Sequence, residues 1–235
     1  MTEKYYKWFS PSLGRDFEML VFGDGGFPVI LFPTSMGTYY ENKDQGLIGS
    51  ASWFLDNGLV KIYCPDSIDA ESWYNQGVPP EIRVHNHQCY DNLVLKEILP
   101  RATGETGAAK VATAGCSFGG YHAANFAFRH PDRVSYMLSM SGVFDIRSRC
   151  EGYYSESIYF NNPVDFLPDD QDPLLWQMGI VLGTADQDIC RVQNEHLSAI
   201  LNAKSINHWL DIRPDSTHDW PVWKMMFPHY LSLIK

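Results

Sequence analysis

The chain has 235 residues, 45% of them hydrophobic, which is enough to build one sizeable core in a single domain spanning 1–235. Its formal net charge of −10 excludes the positive footprint that nucleic acid or an anionic membrane surface requires. No apolar run is long enough to span a membrane, and no secretory leader is expected from the opening residues. The scattered thiols of Cys64, Cys89, Cys116, Cys150 and Cys190 include no C-x-x-C and read as free cysteines of a cytoplasmic protein.

Taken in order, strands and helices alternate. An extended segment, Phe17 to Phe22, ends in the turn Gly23-Asp-Gly-Gly26, and a strand at Val29–Phe32 is followed by a polar loop and helix to about Asn57. Val60–Cys64 is the next strand, and Pro79-Pro80 opens a helix through Leu99, with Pro80 suited to its first turn. A short apolar run, Lys110 to Ala114, enters Gly115-Cys-Ser-Phe-Gly-Gly120, and a helix follows from Tyr121 to His130. Strands at Val134–Met140, Met178–Gly183 and Trp209–Ile212 complete the pattern, with helical periodicity from Arg191 to Leu201 and a terminal helix. Alternation of this kind specifies an α/β fold, a mostly parallel sheet with helices on both faces. The stretch 145–176 breaks it, being aromatic, proline-interrupted and too long for a plain connection.

The glycine-rich hexapeptide carries the chemistry. A strand, a sharp turn and a helix around G-x-S-x-G make a nucleophile elbow, which throws the hydroxyl of Ser117 clear of the sheet. Such a serine needs a base and an acid in the chain order Ser, Asp, His. Of the eight histidines, His218 fits, because it lies in a polar loop between the last strand and the last helix. Histidine can take and return a proton near neutral pH. The acid belongs at the C-terminal end of the strand ending at Gly183, where Asp186 and Asp188 both stand. Asp186 comes first off the strand and is assigned to orient the imidazole, while Asp188 suits the N-cap of the next helix. The backbone N–H of Phe118, at the first turn of the elbow helix, is a natural oxyanion donor.

With the elbow, the Gly183-x-x-Asp186 turn and His218-Asp-Trp-x-x-Trp223 in view, the chain resembles an α/β-hydrolase of the esterase group. That group holds esterase D (S-formylglutathione hydrolase), feruloyl esterases and mycolyltransferases. The resemblance runs from about Asp16 to Leu233. It implies an α/β-hydrolase fold, and it places the second oxyanion donor at Ser35, in the loop after Val29–Phe32. The insertion at 145–176 is expected to form a small lid. Tyr153, Tyr154 and Tyr159 would line the substrate pocket with Tyr39, Tyr40, Trp73 and Trp220, or would pack a core of the insertion's own.

No metal and no cofactor is expected. His85-Asn-His87 lies in a helix, where positions i and i+2 diverge, and Gly23–Gly26 lacks the flanks of a phosphate loop. The expected activity is serine carboxylesterase chemistry on small esters, aromatic ones included. An acyltransferase using the same residues and a non-catalytic binding module are the alternatives. The expected partner is a small-molecule ester, with homo-oligomerisation left open.

Overall fold

Every residue of Val60–Pro65 and of Val111–Cys116 is buried, as strands covered on both faces must be. The computed structural model describes residues 1–235. Its strands are β1 (Glu3–Ser10), β2 (Arg15–Phe22), β3 (Phe27–Phe32), β4 (Val60–Pro65), β5 (Val111–Cys116), β6 (Val134–Met140), β7 (Gly179–Gln187) and β8 (Trp209–Thr217). They form one eight-stranded sheet in the order β1-β2-β4-β3-β5-β6-β7-β8. The β1–β2 and β2–β4 pairs are antiparallel and all the others are parallel. The mostly parallel architecture expected from the alternation is therefore observed. β1, absent from the sequence reading, is a largely exposed edge strand carrying Glu3, Lys4 and Lys7; charge on an edge protects it from further pairing but hides the strand pattern.

Short helices α1 (Glu41–Asp44), α2 (Leu47–Ser50) and α3 (Ser52–Asp56) follow β3. Then come α4 (Pro80–Leu93), α5 (Leu99–Thr106), α6 (Phe118–Arg129), α7 (Glu156–Tyr159), α8 (Pro163–Phe166), α9 (Arg191–Ala203) and α10 (Trp220–Leu231). A π-helical turn at Val94–Ile98 joins α4 to α5 just before Pro100, where a missing N–H and a bulky ring oppose regular α geometry. Two apolar cores flank the sheet. One packs Ile30, Phe32 and Val111 against Leu93, Ala124 and Leu197; the other packs Leu31, Ala114 and Leu138 against Ile48, Met226 and Phe227. Each such side chain, fully buried, contributes about 1.5–3 kcal/mol.

From β3 the chain crosses to β4 on one side and then returns to β5 on the other. The C-terminal ends of β3 and β5 thus diverge at a switch point, where open α/β sheets collect ligands. Phe32 pairs with Gly115 there, so the loop after β3 lies beside the elbow.

Two strands run further than the sequence suggests. β7 continues to Gln187 and β8 to Thr217, with a bulge and a terminal Gln187–Thr217 pair. Gly183 does not end β7. It is a glycine because a Cβ there would stand 2.2 Å from the hydroxyl of Tyr230, the close approach that glycine inside a strand often marks. Pro214 is tolerated in β8 because β8 is the outer strand of the sheet.

Candidate active site

The elbow is built from close backbone contacts. A Cβ on Gly115 would fall 2.2 Å from the backbone of Gly119, one on Gly119 would fall 2.5 Å from the carbonyl of Pro33, and one on Gly120 would fall 2.7 Å from Cα of Gly142. No side chain fits at any of the three. Between them Ser117 adopts φ 55° and ψ −121°, a conformation costing of order 1–3 kcal/mol. Its N–H donates to Met140 at 2.8 Å and its carbonyl accepts from Gly120 at 2.9 Å, which holds the strained turn in place.

His218 Nε2 lies 2.9 Å from Ser117 Oγ, and His218 Nδ1 lies 2.8 Å from Asp188 Oδ1. With the proton on Nδ1 donated to the carboxylate, Nε2 is left to accept from the serine hydroxyl. The rings of Trp223 and His218 meet at a right angle, 5.0 Å and 87° between them, and the indole N–H donates to Ser141 Oγ at 2.8 Å.

The acid against the imidazole is Asp188, not Asp186. The assignment of Asp186 rested on Gly183 ending the strand; β7 runs four residues further, to Gln187, so Asp186 lies within it. Pairing of Gln187 with Thr217 delivers the next residue of each strand, Asp188 and His218, into contact. Asp186 falls at the bulge, where its two oxygens accept the N–H groups of Asp215 and Ser216 at 2.9 and 3.1 Å. These bonds hold its carboxyl below the usual range and shape the loop that carries His218. Burial raises the carboxyl of Asp188, but the hydrogen bonds it accepts from His218 and from the Cys190 N–H outweigh it and hold the group below its usual range. The N-cap role foreseen for Asp188 is not observed: the N-cap of α9 is Cys190, and Asp188 Oδ1 instead accepts the N–H of Cys190 at 2.7 Å.

Two backbone amides near the elbow lack an acceptor. Phe118 is the first residue of α6, so its N–H has no intrahelical acceptor. In the loop after β3, Thr34 N–H donates to Glu41, Met36 N–H to Asp69 and Gly37 N–H to Thr34. Ser35 N–H has no acceptor. The loop is braced from below by a second, fully buried His–Asp pair: His122 Nε2 sits 2.9 Å from Asp69 Oδ1, and Asp69 Oδ2 accepts Met36 N–H at 3.0 Å. This pair holds Met36 at φ 59°. His122 thus shapes the loop that carries Ser35.

The substrate-pocket residues are only partly brought together. Trp220 stands at the site, packed on Trp223 at 5.0 Å, and Tyr153 is half-buried against the cluster containing Phe118 and Tyr121. Trp73 is buried in that cluster, packed on His87 at 5.1 Å and on Tyr121, so it supports the elbow helix from behind. Tyr39 and Tyr40 pack edge-on at 5.0 Å, with Tyr39 against Tyr5 of the sheet edge. Tyr154 and Tyr159 donate their hydroxyls to Asp165 and Asp169 of the insertion itself. Tyr159 also lines a cavity of about 750 Å³ with Phe128, Arg129 and Phe166. That cavity lies at the far end of α6, about 16 Å along the helix from Ser117. The expectation that Tyr154 and Tyr159 line the catalytic pocket is therefore replaced by the alternative, an insertion that ties itself together. Its early part brings Arg149 over Tyr74, near Phe118.

Sequence reasoning missed Tyr74, whose hydroxyl donates to Ser35 Oγ at 2.7 Å while its ring meets Phe118 edge-on at 5.1 Å. No motif marks it. Ligand chemistry for a metal is offered by Asp188, Cys190 and His218, whose donor atoms lie within 4.8 Å of one another. Burial pushes the Cys190 thiol up to about 12 and His218 Nδ1 already faces Asp188, so the group is arranged for proton transfer and not for coordination.

The family model described as "Putative esterase" matches residues 15–233. Among curated proteins compared by sequence, none matches. Among solved structures, a ferulic acid esterase superposes with TM-score 0.78 at 17% identity, over 99% of this chain and 97% of that one. An S-formylglutathione hydrolase from Agrobacterium tumefaciens gives TM-score 0.78 at 13% identity, over 98% and 93%. MPT51 from Mycobacterium tuberculosis gives 0.67 at 18% identity, over the whole of both chains. At these identities the likeness is one of fold, the α/β-hydrolase fold.

Proposed function

We propose that this chain, which belongs to that esterase family, hydrolyses small carboxylic esters through Ser117, His218 and Asp188 and a covalent acyl-enzyme. Family membership makes it a carboxylic ester hydrolase; the assignment of roles rests on one observation, the unbroken hydrogen-bonded line Ser117–His218–Asp188 at 2.9 and 2.8 Å. Ser117 Oγ attacks the ester carbonyl while His218 Nε2 takes its proton. Asp188 stabilises the imidazolium, and the N–H groups of Phe118 and Ser35 receive the oxyanion, each worth about 3 kcal/mol in the transition state. His218 then protonates the leaving alcohol, and water repeats the sequence on the acyl group. Because the similar structures include a ferulic acid esterase, hydroxycinnamate esters belong beside short aliphatic esters among the substrates to be tried.

The test is Ser117→Ala. It should lower turnover of 4-nitrophenyl acetate by at least about 10³-fold and abolish covalent labelling by a fluorophosphonate, with an unchanged circular dichroism spectrum. Retained turnover or retained labelling in the variant would assign the nucleophile elsewhere.

A further inference from the structure

Every arginine of the chain except Arg149 is paired with a carboxylate: Arg15 with Glu71, Arg83 with Glu151, Arg101 with Glu105, Arg129 with Asp91, Arg133 with Asp132, Arg147 with Asp145, Arg191 with Glu195 and Arg213 with Asp211. In a protein of net charge −10 acceptors are plentiful, so an arginine without one is set apart. Arg149 is also beside the reacting centre. Its guanidinium stacks 3.9 Å above the ring of Tyr74 and 6.0 Å from the ring of Phe118. Tyr74 is the residue bonded to Ser35, and Phe118 follows Ser117. Stacking uses the face of the guanidinium and leaves its in-plane N–H donors free.

The half-buried side chain is carried on a fixed turn. Arg149 ends the 3-10 turn Arg147–Arg149, and its carbonyl accepts from Arg83 Nη1 at 2.9 Å. Arg83 is itself 2% exposed and bound to Val78 and Glu151. The next residue, Cys150, is buried in the cluster that holds Phe118. A cation held this way, unpaired at the lip of an oxyanion site, is arranged for an anion that arrives with the substrate. Planar N–H donors match a carboxylate best, in two parallel hydrogen bonds.

We propose that Arg149 selects esters bearing a second, ionised carboxylate, which its guanidinium binds while the ester carbonyl sits between Ser117 and the amides of Phe118 and Ser35. This rests on the triad reading above and adds to it the class of substrate. The carboxylate can belong to the acyl part, as in a half-ester of a dicarboxylic acid, or to the alcohol part, as in an acylated hydroxy acid.

The experiment compares kcat/KM within matched pairs. For the acyl side the pair is mono(4-nitrophenyl) glutarate and 4-nitrophenyl pentanoate; for the alcohol side it is 3-acetoxybenzoate and phenyl acetate. The ratio of acidic to neutral ester should fall by about 10- to 100-fold in Arg149→Met for at least one pair, and less in Arg149→Lys, which keeps the charge without the fork. The wild-type ratio should shrink as salt rises. Arg133→Gln, at the opposite end of β6, is the control for overall charge and should leave the ratio unchanged. The pair that responds identifies which side of the ester carries the anion. If both ratios are the same in wild type and Arg149→Met while Ser117→Ala abolishes cleavage of the neutral esters, Arg149 merely packs on Tyr74 and the selectivity proposal is wrong. If the neutral esters are cleaved without Ser117, the triad reading fails and this inference falls with it.

Discussion

Replacing Asp188 by Asn tests the acid assignment against its neighbour. The carboxylate faces an imidazole that becomes positively charged in the transition state, with 2.8 Å between Oδ1 and Nδ1. Two unit charges whose centres lie about 4 Å apart interact by about 4 kcal/mol at an effective dielectric near 20, or about 10³ in rate. A further loss comes from geometry. In the native site Oδ1 accepts both His218 and the Cys190 N–H, and the buried Oδ2 has no hydrogen-bond partner. An amide NH₂ must therefore either enter the Oδ2 position, where only the Ser141 hydroxyl is near, or turn toward Nδ1 and force the wrong tautomer. Together these predict a loss in kcat of about 10³- to 10⁴-fold. Asp186→Asn keeps one of two acceptors for the amides of Asp215 and Ser216 and touches no reacting group, so a loss of only a few-fold is expected. Steady-state and burst kinetics on 4-nitrophenyl acetate, with thermal melts to confirm folding, measure both. A loss under tenfold for Asp188→Asn, or a greater loss for Asp186→Asn, would refute the assignment.

Two other substitutions probe the scaffold. Gly119→Ala puts a methyl 2.5 Å from the Pro33 carbonyl and 2.8 Å from that of Phe32, so the Ser35 loop must move away from the elbow; kcat should fall by about 10²-fold or more with a lower Tm, and wild-type turnover would show that the loop is not needed. Asp66 is raised to about 6, mainly by burial, so the folded state binds a proton more tightly than the unfolded chain and stability should decline as pH rises from about 4 to about 6. Asp66→Asn keeps the Oδ1 acceptor that serves both Tyr39 and Ser67, so its Tm should exceed that of wild type at pH 7.5 and the difference should vanish near pH 4; an equal or lower Tm at pH 7.5 would contradict this.

What the sequence made legible was whatever local sterics dictate. The elbow could be read because three glycines and a serine are each forced by contacts within the same strand–turn–helix, and His218 because chain order and a polar loop leave few choices. The acid depended on where β7 ends, and that is settled by pairing with β8. Gly183 looked like a terminator but is a point of contact with Tyr230, an aromatic 47 positions away in the chain. The lid tyrosines misled for a similar reason: their acidic partners Asp165 and Asp169 lie within the insertion, and composition does not say whether an aromatic faces inward or toward a substrate. Tyr74 and Arg149 carried no motif, since their contacts, with each other and from Tyr74 to Ser35, join residues far apart in sequence.

Strain shows how the site is held ready. Ser117, Met36 and Ser141 all have positive φ without being glycine, and each lies just beyond the C-terminal end of a neighbouring central strand. Each is fixed by a hydrogen bond from its own N–H to a different element: Ser117 to Met140, Met36 to Asp69 and Ser141 to Gly183. None of these conformations would persist in an isolated turn, because each costs on the order of 1 kcal/mol or more. The two apolar cores supply that stabilisation by fixing the strand ends, so the strained residues are positioned before any ester arrives. In the reaction proposed above, amides of Phe118 and Ser35 held this way would need little reorganisation, the condition under which fixed N–H dipoles contribute most. The same coupling explains why the glycines of the elbow matter to chemistry as well as to folding, since a methyl at Gly119 would act on the loop that presents Ser35 before it touched a substrate.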